Sequence, residues 1–135
     1  MDAKYPKTEK LKSKKAIELL FAEGKSVSKY PLRLVYAPLA VAEPGQKLKI
    51  GVSVSKKYFK KAVDRNYFKR VLRETYRLNK ALLLDALEEP YAVMFFYQTK
   101  ERLPYEEIRV KTVQLFEKFA KAMKESRTEN TKDLT

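Results

Sequence analysis

The sequence predicts an α+β domain: a two-layer sandwich of a four-stranded sheet with helices packed on it, in the order α-β-β-β-α-β-α. Three observations carry this. Residues 48 to 55 alternate apolar and polar without a break, residues 91 to 97 are apolar on both faces of a strand, and residues 65 to 78 and 104 to 123 repeat their apolar side chains at helical spacing. A chain of 135 residues supplies one core and is short for two. It divides into a flexible basic lead-in (1–12), a single domain (13–124) and a disordered tail (125–135).

Each element has a local reason. Residues 1 to 12 lack periodicity and contain Pro6. Ser13 is placed to cap a first helix with Ile17, Leu20 and Phe21 as its apolar stripe, and Gly24 to end it. Ser26 to Ser28 suits an edge strand. Leu32 to Ala37 reads as a strand with Leu32, Leu34 and Tyr36 on one face and Arg33 and Val35 on the other. Pro38 to Gln46, with Pro44-Gly45 inside it, is a loop of hairpin length. In the next strand Leu48, Ile50, Val52 and Val54 point one way, while Lys49, Gly51, Ser53 and Ser55 form a low polar face. An extended ligand could approach that face, and a merely wet face fits equally well.

Asp64 is placed to cap a helix running from Arg65. Ala81 to Glu89 is a further helical segment or turn, stopped by Pro90. Tyr91 to Tyr97 suits a central strand covered on both sides. Pro104 opens the last helix, with Glu106 and Glu107 in its first turn and Ile108, Leu115, Phe116, Phe119 and Met123 as its buried stripe. From Glu125 onward nothing remains to bury.

Charge is distributed unevenly. Residues 53 to 77 hold nine Lys or Arg against two acids and supply +7 of the net +13, whereas residues 78 to 135 balance ten against ten. At roughly 100° per residue, Arg65, Asn66, Lys69, Arg70, Arg73 and Arg77 share an arc of about 140°, opposite Tyr67, Phe68, Val71, Leu72, Thr75 and Leu78. Solvated helix faces usually mix signs, because like charges four residues apart repel. Here Arg65, Lys69, Arg73 and Arg77 follow one another at that spacing. A polyanion relieves the repulsion. Nucleic acid fits best, since the helix lacks the Trp- and Leu-rich wedge of a membrane-surface helix.

Chemistry narrows the reading further. With no Cys and no His, disulfides, thiol nucleophiles, imidazole bases and ordinary zinc sites drop out. The three glycines are scattered, so no phosphate loop forms. The carboxylates Asp85, Glu88 and Glu89, and Glu101, Glu106 and Glu107, read as helix-end and loop acids rather than metal ligands, and neither a catalytic nor a metal residue is assigned. A helix-turn-helix DNA reader needs a short helix before the recognition helix; a strand and the basic loop Lys56, Lys57, Lys60, Lys61 stand there instead. Structured RNA, bound through phosphate and shape, is the partner class, with no DNA and no membrane. The N-terminus lacks an export core and no apolar run approaches the ~20 residues that span a bilayer, so a cytoplasmic protein is expected.

Ser53-Val54-Ser55-Lys56-Lys57, followed by Lys61-Ala62-Val63, Arg65-Asn66, Lys69-Arg70 and Arg73-Glu74, closely resembles the signature of the protein subunit of bacterial ribonuclease P. The resemblance covers roughly residues 10 to 120, from Leu11, Leu20-Phe21 and Gly24-Lys25-Ser26 through Tyr76-Arg77-Leu78-Asn79-Lys80 to Tyr105-Glu106-Glu107. It implies a left-handed βαβ crossover around the Arg-Asn helix, and a catalytic RNA that removes the 5′ leader from precursor tRNA. That RNA would hold the magnesium and do the chemistry. Arg65, Asn66, Lys69, Arg70 and Arg73 would contact it, with Lys56, Lys57 and Lys61 in support; Lys60 and Arg77 join them as RNA-contact candidates. The leader would lie in a cleft between the first helix and the sheet, lined by Ile17, Phe21 and Tyr36. Two positions depart from the family pattern. Tyr67 stands where Arg-Asn-Arg is usual, its place on the apolar arc suggesting that it packs, and Ile17 where many relatives have an aromatic. The alternative is a ribosomal or assembly protein that only stabilises folded RNA.

Overall fold

The computed structural model describes residues 10–11, 14–39 and 45–133, with side chains through Ser126. Helix α1 is Lys14–Glu23, the strands are β1 Lys25–Lys29, β2 Leu32–Pro38, β3 Leu48–Val54 and β4 Tyr91–Tyr97, and the long helices are α2 Ala62–Leu84 and α3 Tyr105–Asp133. This is the order that the patterning predicts. The expected Ser13 cap, residues 1–9 and the middle of the 38–46 loop lie outside the described residues.

The sheet runs β1-β2-β4-β3, antiparallel at β1–β2 and β2–β4 and parallel at β3–β4. The hairpin suggested by the loop length therefore does not form between β2 and β3. Strand β4 lies between them, with Phe95 opposite Leu34 on one side and Val52 on the other. Composition explains the choice: β4 is apolar on both faces and needs the middle, whereas β3 carries Lys49 and Ser53 and tolerates an edge. The loop has only to cross two strand spacings, about 10 Å.

Alternation divides the core in two. Leu32, Leu34, Tyr36, Leu48, Ile50, Val93, Phe95 and Tyr97 point toward α2 and α3 and form the larger cluster with Phe68, Leu72, Tyr76, Phe116 and Phe119. The five residues expected to be the buried stripe of α3 are all buried. On the other face α1 is a partial cover, its Leu20 packed in a smaller cluster with Leu11, Val35, Ala37, Ala92 and Met94. Gly24 lets α1 lie this close: a Cβ there would stand 2.1 Å from the Leu20 carbonyl oxygen and 2.9 Å from Val35 Cγ1.

Several boundaries differ from the sequence reading. Lys10 bridges to Ile50, the Leu11 amide donates to the Ile50 carbonyl at 3.0 Å, and Leu11 is buried, so the end of the basic lead-in is tied to β3. Gly51 does not leave an open floor, because Met94 fills the space above it to 3.1 Å from a built Cβ. Helix α2 begins at Ala62, before Arg65, and runs on through Leu84, into the first half of the segment expected separately at 81–89. Asp64 is not its cap; it lies in the first turn and pairs with Arg102 at 3.0 Å. Helix α3 continues to Asp133, past the point at which disorder was expected, since no Gly or Pro follows Pro104 to stop it.

Candidate nucleic-acid interface

The outward side of α2 is the best-defined charged surface. Asn66, Arg70 and Arg73 are exposed and Lys69 is half-buried; with Arg77 they run at helical spacing for about 16 Å. Among the described residues Lys69, Arg70 and Arg73 have no carboxylate partner. Arg77 differs. It pairs with Glu74 on its own helix, and this guanidinium holds the Glu74 carboxyl below the usual carboxylate range, so part of its charge is answered within the chain.

Arg65 also differs from its neighbours. Its Nη1 donates to the Phe59 carbonyl at 2.9 Å and the Lys60 carbonyl at 2.7 Å, tying the basic loop to the helix. The loop is anchored from below as well. Buried Phe59 stacks on Phe68 at 4.7 Å, Phe68 stacks on Tyr97 at 4.6 Å, and the Arg102 guanidinium lies 5.3 Å from the Phe68 ring centre. The backbone turns tightly, with the Tyr58 and Phe59 amides both donating to the Ser55 carbonyl at 3.1 Å and the Lys57 amide to Ser55 Oγ at 3.0 Å. Lys56, Lys57, Lys60 and Lys61 are consequently exposed on a fixed loop beside the start of α2. Sequence reasoning saw the lysines and missed Phe59, whose place four residues before Val63 in a basic stretch gave no periodicity to read.

Arg65→Ala is therefore expected to lose about 1–2 kcal/mol of folding stability, seen as a lower urea midpoint, because two bonds from a charged donor disappear. Arg70→Ala and Arg73→Ala should each stay within about 0.5 kcal/mol of the parent, since their side chains are exposed.

The opposite arc of α2 is narrower than expected. Phe68, Val71, Leu72, Thr75 and Tyr76 are buried, but Tyr67 is 40% and Leu78 52% exposed. The buried side is centred near Leu72 and Tyr76, and Tyr67 and Leu78 sit at its margin. Tyr67 does not pack inward as expected; it only rests edge-on against Phe68, at 4.9 Å and 87°.

Of the three residues expected to line a cleft between α1 and the sheet, Ile17 and Phe21 lie where those two elements meet. Ile17 is half-buried against the smaller core, and Phe21 is 58% exposed with its ring 6.0 Å from that of Phe96. Tyr36 is elsewhere. It shares its face with Leu32 and Leu34, so it points to the opposite side of the sheet, 93% buried with its ring edge-on to Phe119 at 4.9 Å. Burial raises its phenol pKa. The aromatic on the cleft side is Phe96, flanked in register by Arg33 and Ser53, and Arg33 Nη2 reaches Ser26 Oγ at 3.4 Å. The clue lay in the sequence: Phe96 alternates with Ala92 and Met94, and Tyr36 with two leucines.

The chain thus carries exposed loop lysines and, without carboxylate partners among the described residues, the α2 guanidinium groups of Arg70 and Arg73, while Phe21 and Phe96 meet on the other face of the sheet. The ribonuclease P family model matches residues 5–120 of the chain. The chain belongs to the ribonuclease P protein family. It is 44% identical over 100 residues to the ribonuclease P protein component of Porphyromonas gingivalis, covering 73% of this chain and 72% of that one. Against the Dictyoglomus thermophilum protein component it is 32% identical over 121 residues, 90% of this chain and 95% of the other. The fold is similar to that of the ribonuclease P protein from Thermotoga maritima, with TM-score 0.65 and 24% identity over 82% of this chain and 96% of that one. As a ribonuclease P protein component, the chain is the RNA-binding subunit of a tRNA-processing endoribonuclease.

Proposed function

We propose that α2 and the basic loop seat the catalytic RNA of ribonuclease P, while the cleft between α1 and the sheet holds the 5′ leader of precursor tRNA. The observation that supports this most is the set of cations on α2, Lys69, Arg70 and Arg73, held on a rigid helix without carboxylate partners among the described residues. Exposed guanidinium groups at about one helical turn match the repeat of a phosphate backbone in reach and sign. Arg65 positions the loop lysines, and Asn66 adds a donor and an acceptor to the same stripe. In the cleft, Phe21 and Phe96 offer ring surface for an unpaired leader base and Arg33 a phosphate contact.

Magnesium belongs with the RNA in this reading. Among the described residues no three His, Cys, Asp or Glu side chains gather into a metal site. The protein contributes binding and orientation, and the RNA the bond-breaking step. A cytoplasmic setting goes with this function; among the described residues no helix is long and apolar enough to cross a membrane.

Reconstitution is the test. Adding the chain to ribonuclease P RNA at low magnesium should restore leader removal from a precursor tRNA, with no cleavage by the protein alone. Cleavage without RNA, or an unchanged RNA reaction, overturns the proposal.

A further inference from the structure

The first two turns of α2 present an outward stripe of a different kind from the basic row. Val63, Asn66, Tyr67 and Arg70 follow at i, i+3, i+4 and i+7, the spacing that usually marks a core-facing side, yet all four are exposed. Val63 is 70% and Tyr67 40% accessible. Helix α2 therefore carries apolar side chains on two sides, one sealed by the sheet and α3 and one open to solvent. Isolated exposed apolar residues need no account, but these two lie one turn apart, and Phe68 supports the Tyr67 ring from behind at 4.9 Å and 87°. The open stripe is continuous with the cations: Arg70 is its last member, Arg73 follows one turn on, and Lys61 immediately precedes the helix.

We infer that this stripe binds one unstacked nucleotide of the partner RNA. The base lies on Tyr67 against Val63, the Asn66 amide meets a base edge or the ribose, and Arg70 takes the adjoining phosphate. Ring, amide and guanidinium are the three groups such a unit needs, and here they occupy neighbouring positions on one rigid turn. Electrostatic continuity with the basic row selects RNA over a protein partner, whose docking face would have to neutralise the same cations. The inference rests on the RNA-binding role proposed above and adds a non-ionic contact to it.

The two kinds of contact respond differently to salt. A phosphate contact contributes to the slope of log affinity against log salt, whereas stacking leaves that slope unchanged. Binding of the full chain to ribonuclease P RNA is measured across a salt series for Tyr67→Ala, Tyr67→Phe and Arg70→Ala, with urea melts of each. Tyr67→Ala is expected to weaken binding about ten- to a hundredfold at unchanged slope, and Tyr67→Phe to stay near the parent. Arg70→Ala should weaken binding with a shallower slope. If Tyr67→Ala binds normally while Arg70→Ala does not, the nucleotide site is wrong and the RNA-seating role stands. If neither change matters, both fail. Loss of a dimer in Tyr67→Ala with RNA affinity intact would assign the stripe to self-association instead.

Discussion

Replacing Arg70 and Arg73 together with alanine is expected to lower affinity for the catalytic RNA about sixtyfold in 0.1 M salt, with the fold intact. Each lost phosphate contact removes about 0.9 from the slope of log affinity against log salt, which is roughly eightfold between 0.1 M and 1 M. The two side chains are exposed and have no acidic partner among the described residues, so their charge is available to an anion and contributes little to the folded state. Arg77 sets the contrast. Because Glu74 already answers its charge, Arg77→Ala should change the slope by less than either exposed arginine does. Filter binding over a salt series, with urea melts as the control, decides. A double variant that binds RNA as tightly as the parent at every salt concentration would remove α2 from the interface.

How much of this was legible in the sequence depends on what each residue answers to. Strand β4 could be placed in the centre because two apolar faces leave a strand nowhere else to go, and the α3 stripe because Ile108, Leu115, Phe116, Phe119 and Met123 recur at the helical period. The basic row was legible because repulsion along one arc is unusual without a counter-ion. What failed was information that lives between elements. The family resemblance puts Tyr36 in the cleft although it alternates in phase with Leu32 and Leu34; only pairing with β4 shows which face meets which helices. Phe59 and Arg65 act together through a loop with no period, and Asp64 looks like a cap until Arg102, 38 residues away, is seen beside it. Tyr67 lies near the edge of the buried arc, where a rotation of a few tens of degrees decides between core and surface. Periodicity finds the centre of a face more reliably than its margin.

The strongest expected effect on the substrate side comes from Leu20→Ala. Helix α1 has ten residues, too short to persist alone in water, and Leu20 is its one fully buried side chain. Removing it should cost about 2–5 kcal/mol by the usual range for a buried leucine. The loss falls on one element, because the larger core under α2 and α3 contains no α1 residue. Local opening of α1 is thus expected ahead of global unfolding, read as faster hydrogen exchange of α1 amides while those of α2 and α3 stay protected. In the holoenzyme this opening removes one wall of the cleft, so the preference for leader-bearing precursor over mature tRNA should collapse while affinity for the catalytic RNA holds. Phe21→Ala separates wall from contact. Its side chain is mostly exposed, so α1 should remain folded and protected, yet the same preference should weaken because the ring facing Phe96 is gone. A Leu20→Ala holoenzyme with α1 opened and leader discrimination intact would place the leader somewhere other than this cleft, since no cleft exists once its helix has left the sheet.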